Sequence, residues 1–348
     1  MRISVGILAH NEADRIADTV RALLKQTIFR DTLGANLAHV ELICLLNGCT
    51  DNTAAVTAAV IREAPQMPHL NYIVHEISRA GKGLAWNEYV HVASDPLAEI
   101  LVFIDADVCF VEADTIERLI CCIRQCPEVQ VATDVPLKLS PAGEKKFWGY
   151  RISRAASVQK LGAARHAICG QLYCGRSEIL RSIWLPQALP VEDGFLGAVV
   201  KTDGLTRPPV DETILRVDQA RHYYKPEYGF RAYLRHEARI VAGSVINSWL
   251  FDSLPRASEG GHVGAVVRDL NQDDPEWVQK EISAQIRRSG RWLIPLHFML
   301  WRLDPLKDQP FFRRIKMLPV ALAATLANAL VCLRANAILR SEGAARHW

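Results

Sequence analysis

Up to about residue 135, short apolar runs alternate with segments of helical period, and this rhythm limits what the chain can fold into. Residues 3–8, 40–46, 70–77, 99–104 and 129–135 read as strands. Between them, residues 12–26, 51–63, 84–93 and 113–125 read as helices, the first with Ile16, Val20, Leu23 and Leu24 on one face. Strands that alternate with helices join by right-handed crossovers into a mostly parallel sheet covered on both faces. The expected fold class is therefore α/β. Open sheets of this kind bind ligands outside the carboxyl ends of their strands.

Polar residues gather at those ends. The first strand runs into His10-Asn11-Glu12 and the second into Asn47-Gly48-Cys49-Thr50-Asp51. The third runs into Arg79-Ala80-Gly81-Lys82-Gly83, and the fourth, Ile-Leu-Val-Phe-Ile, into Asp105-Ala106-Asp107. Packing needs alone do not place four polar clusters along one sheet edge. Two carboxylates two residues apart at a strand end suit one hard cation, Mg²⁺ or Mn²⁺, which bridges diphosphate oxygens and neutralises a departing diphosphate. A solvated turn or helix cap is the plainer alternative for the same acids. Around Lys82 the glycines permit close backbone approach and the cations suit phosphate; a flexible connection between strand and helix is the alternative. Asp51 reads as a helix cap before it reads as a ligand. Asn47 stands where it can read a nucleobase edge, with His10 and Glu12 beside it. Further on, Glu192-Asp193 opens a helix-like run. Acids there favour the helix dipole, and in a cleft they also supply a general base.

Composition narrows the function classes. A formal charge of +3 over 348 residues gives no basic bias of the kind that nucleic-acid binding requires. The nine cysteines are odd in number and form no C-x-x-C pair, so a reduced, cytoplasmic interior is expected and a zinc site is not. Beyond about residue 140 helical and irregular segments take over, and residues 253–264 read as a loop rich in Gly and Ser. No segment reaches the roughly twenty apolar residues of a spanning helix. The nearest is residues 317–333, with Arg313, Arg314 and Lys316 before it and a stripe of Leu318, Leu322, Leu326, Leu330 and Leu333. Such a helix packs on the protein or on a second copy, or lies on the inner face of an anionic membrane.

Taken in order, these clusters resemble the inverting glycosyltransferases of family 2, which have the GT-A fold. Leu8-Ala9-His10-Asn11-Glu12 matches the end of that family's first strand, and Leu46-Asn47-Gly48-Cys49-Thr50-Asp51 the end of its second. Gly81-Lys82-Gly83 through Asn87, the acids Asp105 and Asp107, Gly170 through Glu178, and Glu192-Asp193 follow in the family's order. The resemblance implies that Asp107 is the main ligand of Mg²⁺ or Mn²⁺ and that Asp105 contacts metal or ribose. It implies that Asp193 is the catalytic base with Glu192 beside it, and that Ala9, His10, Glu12, Asn47, Lys82, Asp105 and Ala106 line a nucleotide-sugar donor. Residues 1–210 then form the donor-binding and catalytic domain, and residues 211–348 a mainly helical region that completes the side facing a hydroxyl-bearing acceptor. Leu46 replaces the family's first acid on the second strand, which leaves the nucleobase open. The Q-x-x-R-W string of processive synthases is missing; His236-Glu-Ala-Arg239-Ile240 is the nearest. Transfer of a single sugar is the expectation. The alternatives are a nucleotidyltransferase-like enzyme, which would want a Gly-rich loop after the first strand, and an inactive nucleotide-sugar-binding relative.

Overall fold

The computed structural model describes residues 1–30, 39–138, 165–224, 229–307 and 309–341. Its centre is an eight-stranded sheet. Four strands carry the alternating half: β1 (Arg2–Ala9), β2 (His39–Asn47), β3 (Leu70–Ile77) and β4 (Ile100–Asp105). They lie parallel in the order β3-β2-β1-β4. The second half is mixed. It comprises β5 (Cys109–Phe110), β6 (Val131–Lys138), β7 (Leu172–Arg176) and β8 (Ile214–Tyr224). Here β7 runs antiparallel to β4 and to β6, while β6 and β8 are parallel. The expected mostly parallel sheet is thus parallel on one side and mixed on the other. β8 completes the sheet, so its strands continue past residue 210.

Period-two alternation divides the strands between two cores. On β1, Ile3, Val5 and Ile7 face the layer of α1 (Ile16–Leu23), α2 (Thr53–Arg62) and α4 (Thr115–Gln125), joined there by Ile16, Val20, Val60 and Ile120. On the other face, Ile43, Leu45, Leu101 and Phe103 meet α3 (Lys82–Glu88), which continues as a π-helical turn over Tyr89–Ala93. The Phe103 ring stacks between Trp86 and Tyr173, and the Trp86 indole donates to the Tyr173 hydroxyl at 2.8 Å. Burying strand residues on both faces is what the continuous apolar run of β4 demands.

The same second core runs on into the helical half: α5 (Ser177–Arg181), α6 (Glu192–Lys201), α7 (Phe230–Ala257), α8 (Val263–Asp273), α9 (Trp277–Arg288), α10 (Leu296–Leu300) and α11 (Phe311–Arg340). Helix α7 extends through Pro255, so the loop expected at residues 253–264 shrinks to the turn between Ala257 and Val263. Pro255 sits in the last turn, where little helix follows it.

Helix α11 packs on the body through one face only. Its leucine stripe faces outward, with Leu318, Leu322, Leu326, Leu330 and Leu333 all exposed. The face that packs on the body is Asn328, Val331, Cys332, Ala335 and Leu339. Small residues let this helix lie close to α7, and Asn328 donates to the carbonyl of Phe298 at 2.5 Å. Close approach and a satisfied carbonyl decide which face is buried.

Candidate active site

The register of the parallel strands sets the site. Leu8 pairs with Asp105, Ala9 with Leu46, and Asn47 with Ile77. The polar clusters after β1, β2, β3 and β4 therefore emerge along one carboxyl edge. His10 Nδ1 lies 2.6 Å from the carbonyl oxygen of Asn47. Asn47 is buried, and its amide oxygen accepts the N–H of Gly81 at 3.0 Å. This side chain clasps the second cluster to the third. Gly48 has φ +58°, and a Cβ there would stand 2.5 Å from the backbone nitrogen of Ala80, so the two loops meet only at a glycine. A Cβ on Gly83 would meet the carbonyl oxygen of Pro186 at 2.5 Å. Packing against the 186–187 segment accounts for that glycine without any ligand.

Asp51 does the work of a cap: its carboxylate accepts the backbone N–H of Thr53 at 3.0 Å, although Asn52 occupies the N-cap position of α2. Asn11, at φ 55°, accepts the N–H of Thr50 at 2.8 Å and ties the first cluster to the second. Ala9 and Ala106 are buried, and only their backbones reach the edge: their carbonyls accept from the Cys49 thiol at 3.5 Å and the Thr19 hydroxyl at 2.7 Å.

Lys82 joins the carboxyl edge of the parallel strands to the acid pair. Its Nζ lies 3.1 Å from Asp105 Oδ2 and 2.9 Å from Glu192 Oε1, and it donates to the carbonyl of Gly170 at 3.4 Å. Asp105 and Glu192, far apart in sequence, thus share one ammonium group. Burial pulls the Lys82 pKa down, but the Asp105 and Glu192 carboxylates outweigh it and hold the lysine well above its ordinary value. Burial raises the Asp105 carboxyl, against the opposing pull of Lys82. Asp107 faces outward, 3.4 Å from Arg15 Nη1. Arg15 also reaches Glu12 at 3.7 Å. Burial raises the Glu12 pKa; Arg15 lowers it, and Asp107, Asp105 and Asp51 raise it further. The edge is therefore rich in carboxylates held close together.

Asp193 stands in the first turn of α6, next to Glu192. Its carboxylate accepts the N–H of Gly194 at 2.8 Å. Gly170 leaves it room: a Cβ there would be 3.3 Å from the Asp193 carboxylate. Burial, then the charge of Glu192, pushes the Asp193 pKa up to about 6. Among the described residues, no ion pair engages Asp193, whereas Glu192 is held by Lys82.

Two further groups have no counterpart in the sequence reading. Arg15 occupies the acid edge, three residues after Glu12. Asp134 on β6 and His222 on β8 are wholly buried and 2.5 Å apart, and His222 Nε2 lies 3.3 Å from Gln171 Oε1. An acid inside the strand-like run Val-Ala-Thr-Asp-Val was a signal that could have marked this pair.

Among the described residues, no three His, Cys, Asp or Glu side chains converge around one point. Asp105 and Asp107 alone do not close a coordination shell. Their oxygen donors are nevertheless the hard ligands that Mg²⁺ and Mn²⁺ prefer, and substrate phosphates and water commonly complete such shells. The donor set fits the expected metal.

A sheet of this topology, with acids along the carboxyl edge of its parallel strands, has the GT-A architecture. Over 98% of this chain and 87% of the other, it superposes on a mannosyltransferase of Pyrobaculum calidifontis solved with GDP-Man and Mn²⁺, at 16% identity and a TM-score of 0.55. Glucosyl-3-phosphoglycerate synthase of Mycobacterium tuberculosis, solved with Mn²⁺, UDP-Glc and phosphoglyceric acid, is a looser likeness. It is 21% identical over 71% of this chain and 79% of that one, with a TM-score of 0.47. No curated protein matches. Residues 4–171 match the model of glycosyl transferase family 2. That stretch carries a glycosyl transferase family 2 domain, and the match supports glycosyl transfer as the activity.

Proposed function

We propose that this glycosyltransferase is metal-dependent and inverting, and that it moves one sugar from a nucleotide-sugar donor to an acceptor hydroxyl. The observation that supports this reading is the ion-pair chain Asp105–Lys82–Glu192, which links the carboxyl edge of the parallel strands to the acid pair. The donor lies across His10, Glu12, Asn47 and Lys82, with the backbone at Ala9, Asp105 and Ala106. Asp107 and Asp105 hold Mg²⁺ or Mn²⁺. When bound, the metal offsets the charge of the leaving nucleoside diphosphate. Lys82, already positioned by two carboxylates, binds the same diphosphate. Asp193 takes the proton of the acceptor hydroxyl, which attacks the anomeric carbon from the face opposite the diphosphate. Of the two acids Asp193 is the better base, because Glu192 is tied to the Lys82 ammonium and a raised pKa strengthens proton acceptance near neutrality.

The acceptor side falls to the helical region after residue 210, α7 above all. There Asn247 donates to the carbonyl of Val191, the residue before the acid pair, at 2.9 Å. NMR of the product's anomeric proton, with a panel of UDP- and GDP-sugars and simple hydroxyl acceptors, tests the reading. Inverted configuration supports single displacement with Asp193 as base. Retained configuration overturns it.

A further inference from the structure

We propose that the outward face of α11 is a docking surface for an anionic lipid bilayer, on which the helix lies flat. The inference stands on residues remote from the transfer site. Phe311, Phe312, Ile315, Leu318, Leu322, Leu326, Leu330 and Leu333 are all exposed. From Phe312 on they recur every three or four residues, so with Phe311 they form one continuous stripe of about 33 Å at ~1.5 Å per residue. Of the described helices, α11 alone is long and apolar enough to cross a bilayer.

Packing decides between crossing and lying. Asn328, Val331, Cys332, Ala335 and Leu339 are buried against the protein, and Asn336 accepts the N–H of Leu293 at 2.8 Å. Arg340 donates to the carbonyl of Gly290 at 3.4 Å. From Asn328 onward the helix is held along its back in this way and offers lipid one face only, which is the geometry of an interfacial helix; from Phe311 to Ala327 no residue is buried.

Charge decides between lipid and a second copy. Helix α11 carries Arg313, Arg314, Lys316, Arg334 and Arg340 and contains no Asp or Glu. Exposed Arg287, Arg288 and Arg291 add to the end near Arg340. Two copies pairing through this stripe would bring cation against cation with no acid from either helix between them. Anionic headgroups neutralise the same cations while acyl chains cover the leucines. Exposed Trp292 lies at the cationic end, a side chain that suits the headgroup level.

Flotation of the full chain with vesicles of phosphatidylglycerol and phosphatidylcholine, against phosphatidylcholine alone, tests the proposal. The chain should float with the anionic vesicles and at least tenfold less with the neutral ones. Leu322→Glu/Leu326→Glu alters only exposed positions, and it should lower the floated fraction at least tenfold with an unchanged circular dichroism spectrum. Arg313→Glu/Arg314→Glu/Lys316→Glu should lower it as well and weaken its dependence on salt. Recovery of the wild type in the soluble fraction with anionic vesicles overturns the proposal, as does equal flotation of the leucine variant. A stable dimer in light scattering that Leu322→Glu/Leu326→Glu dissociates, without vesicle binding, would assign the stripe to a second copy instead.

Discussion

The carboxyl edge of the parallel strands and the outward face of α11 are both unfinished surfaces, in opposite ways. At the edge, charges of both signs stand within ion-pair distance: Asp105 and Glu192 share Lys82, and Asp107 faces Arg15. On α11, apolar side chains and cations stand without acids. Groups already paired at close range can exchange partners when a charged ligand arrives, and close pairing in a partly buried site also shifts their pKa values. Apolar area leaves water only against another apolar phase. The first surface is thus built for chemistry and the second for attachment. The hydrophobic core that contains both Phe195 of α6 and Leu339 of α11 binds the two into one body.

The largest effect separates the two acids at the edge. Asp193→Asn keeps the shape of the side chain and removes its basicity, and turnover should fall about 10²- to 10⁴-fold. Donor affinity should change little, because the proposed contacts to the diphosphate come from Lys82 and the metal ligands instead. Steady-state rates together with donor affinities for Asp193→Asn and Glu192→Gln check this. Normal turnover in Asp193→Asn with a dead Glu192→Gln would move the base to Glu192.

A smaller effect follows from pH. Burial raises the Asp193 carboxyl to about 6, and the proposed base would act in its ionised form. Activity should be full above that value and fall about tenfold per unit below it. A kcat profile that stays flat from pH 5 to about 8 would contradict the role. In Asp193→Asn the residual rate should lose this acid limb.

The smallest effects distinguish the two faces of α11. Leu339 is wholly buried, and Leu339→Ala should cost about 2–5 kcal/mol of stability. Leu326 is 72% exposed, and Leu326→Ala should stay within about 0.5 kcal/mol. Urea unfolding measures both. Equal losses would mean that the outward face is packed in solution.

The edge was legible in the sequence because a strand's period of two and its apolar run fix where the polar residues must begin. Asp105 could only follow Ile-Leu-Val-Phe-Ile, and the other three clusters followed their strands in the same way. What was not legible depends on partners far apart in sequence. The Asp134–His222 pair spans 88 residues, and Arg15 acquires its role only when β4 brings Asp107 beside it. Gly83 read as room for phosphate, but it yields to a carbonyl of the 186–187 segment. On α11 both faces are apolar, so hydrophobicity could not choose between them; the small side chains of Cys332 and Ala335 and the amide of Asn328 did.

Titration calorimetry of UDP- and GDP-sugars into the wild type and Asp107→Ala, each with Mn²⁺ and with chelator, tests the central claim most directly. The account predicts that at least one donor binds the wild type in Mn²⁺. It predicts that chelator or Asp107→Ala weakens that binding at least tenfold, while circular dichroism shows the fold intact. Donor binding that is equally tight without metal and in Asp107→Ala would contradict it.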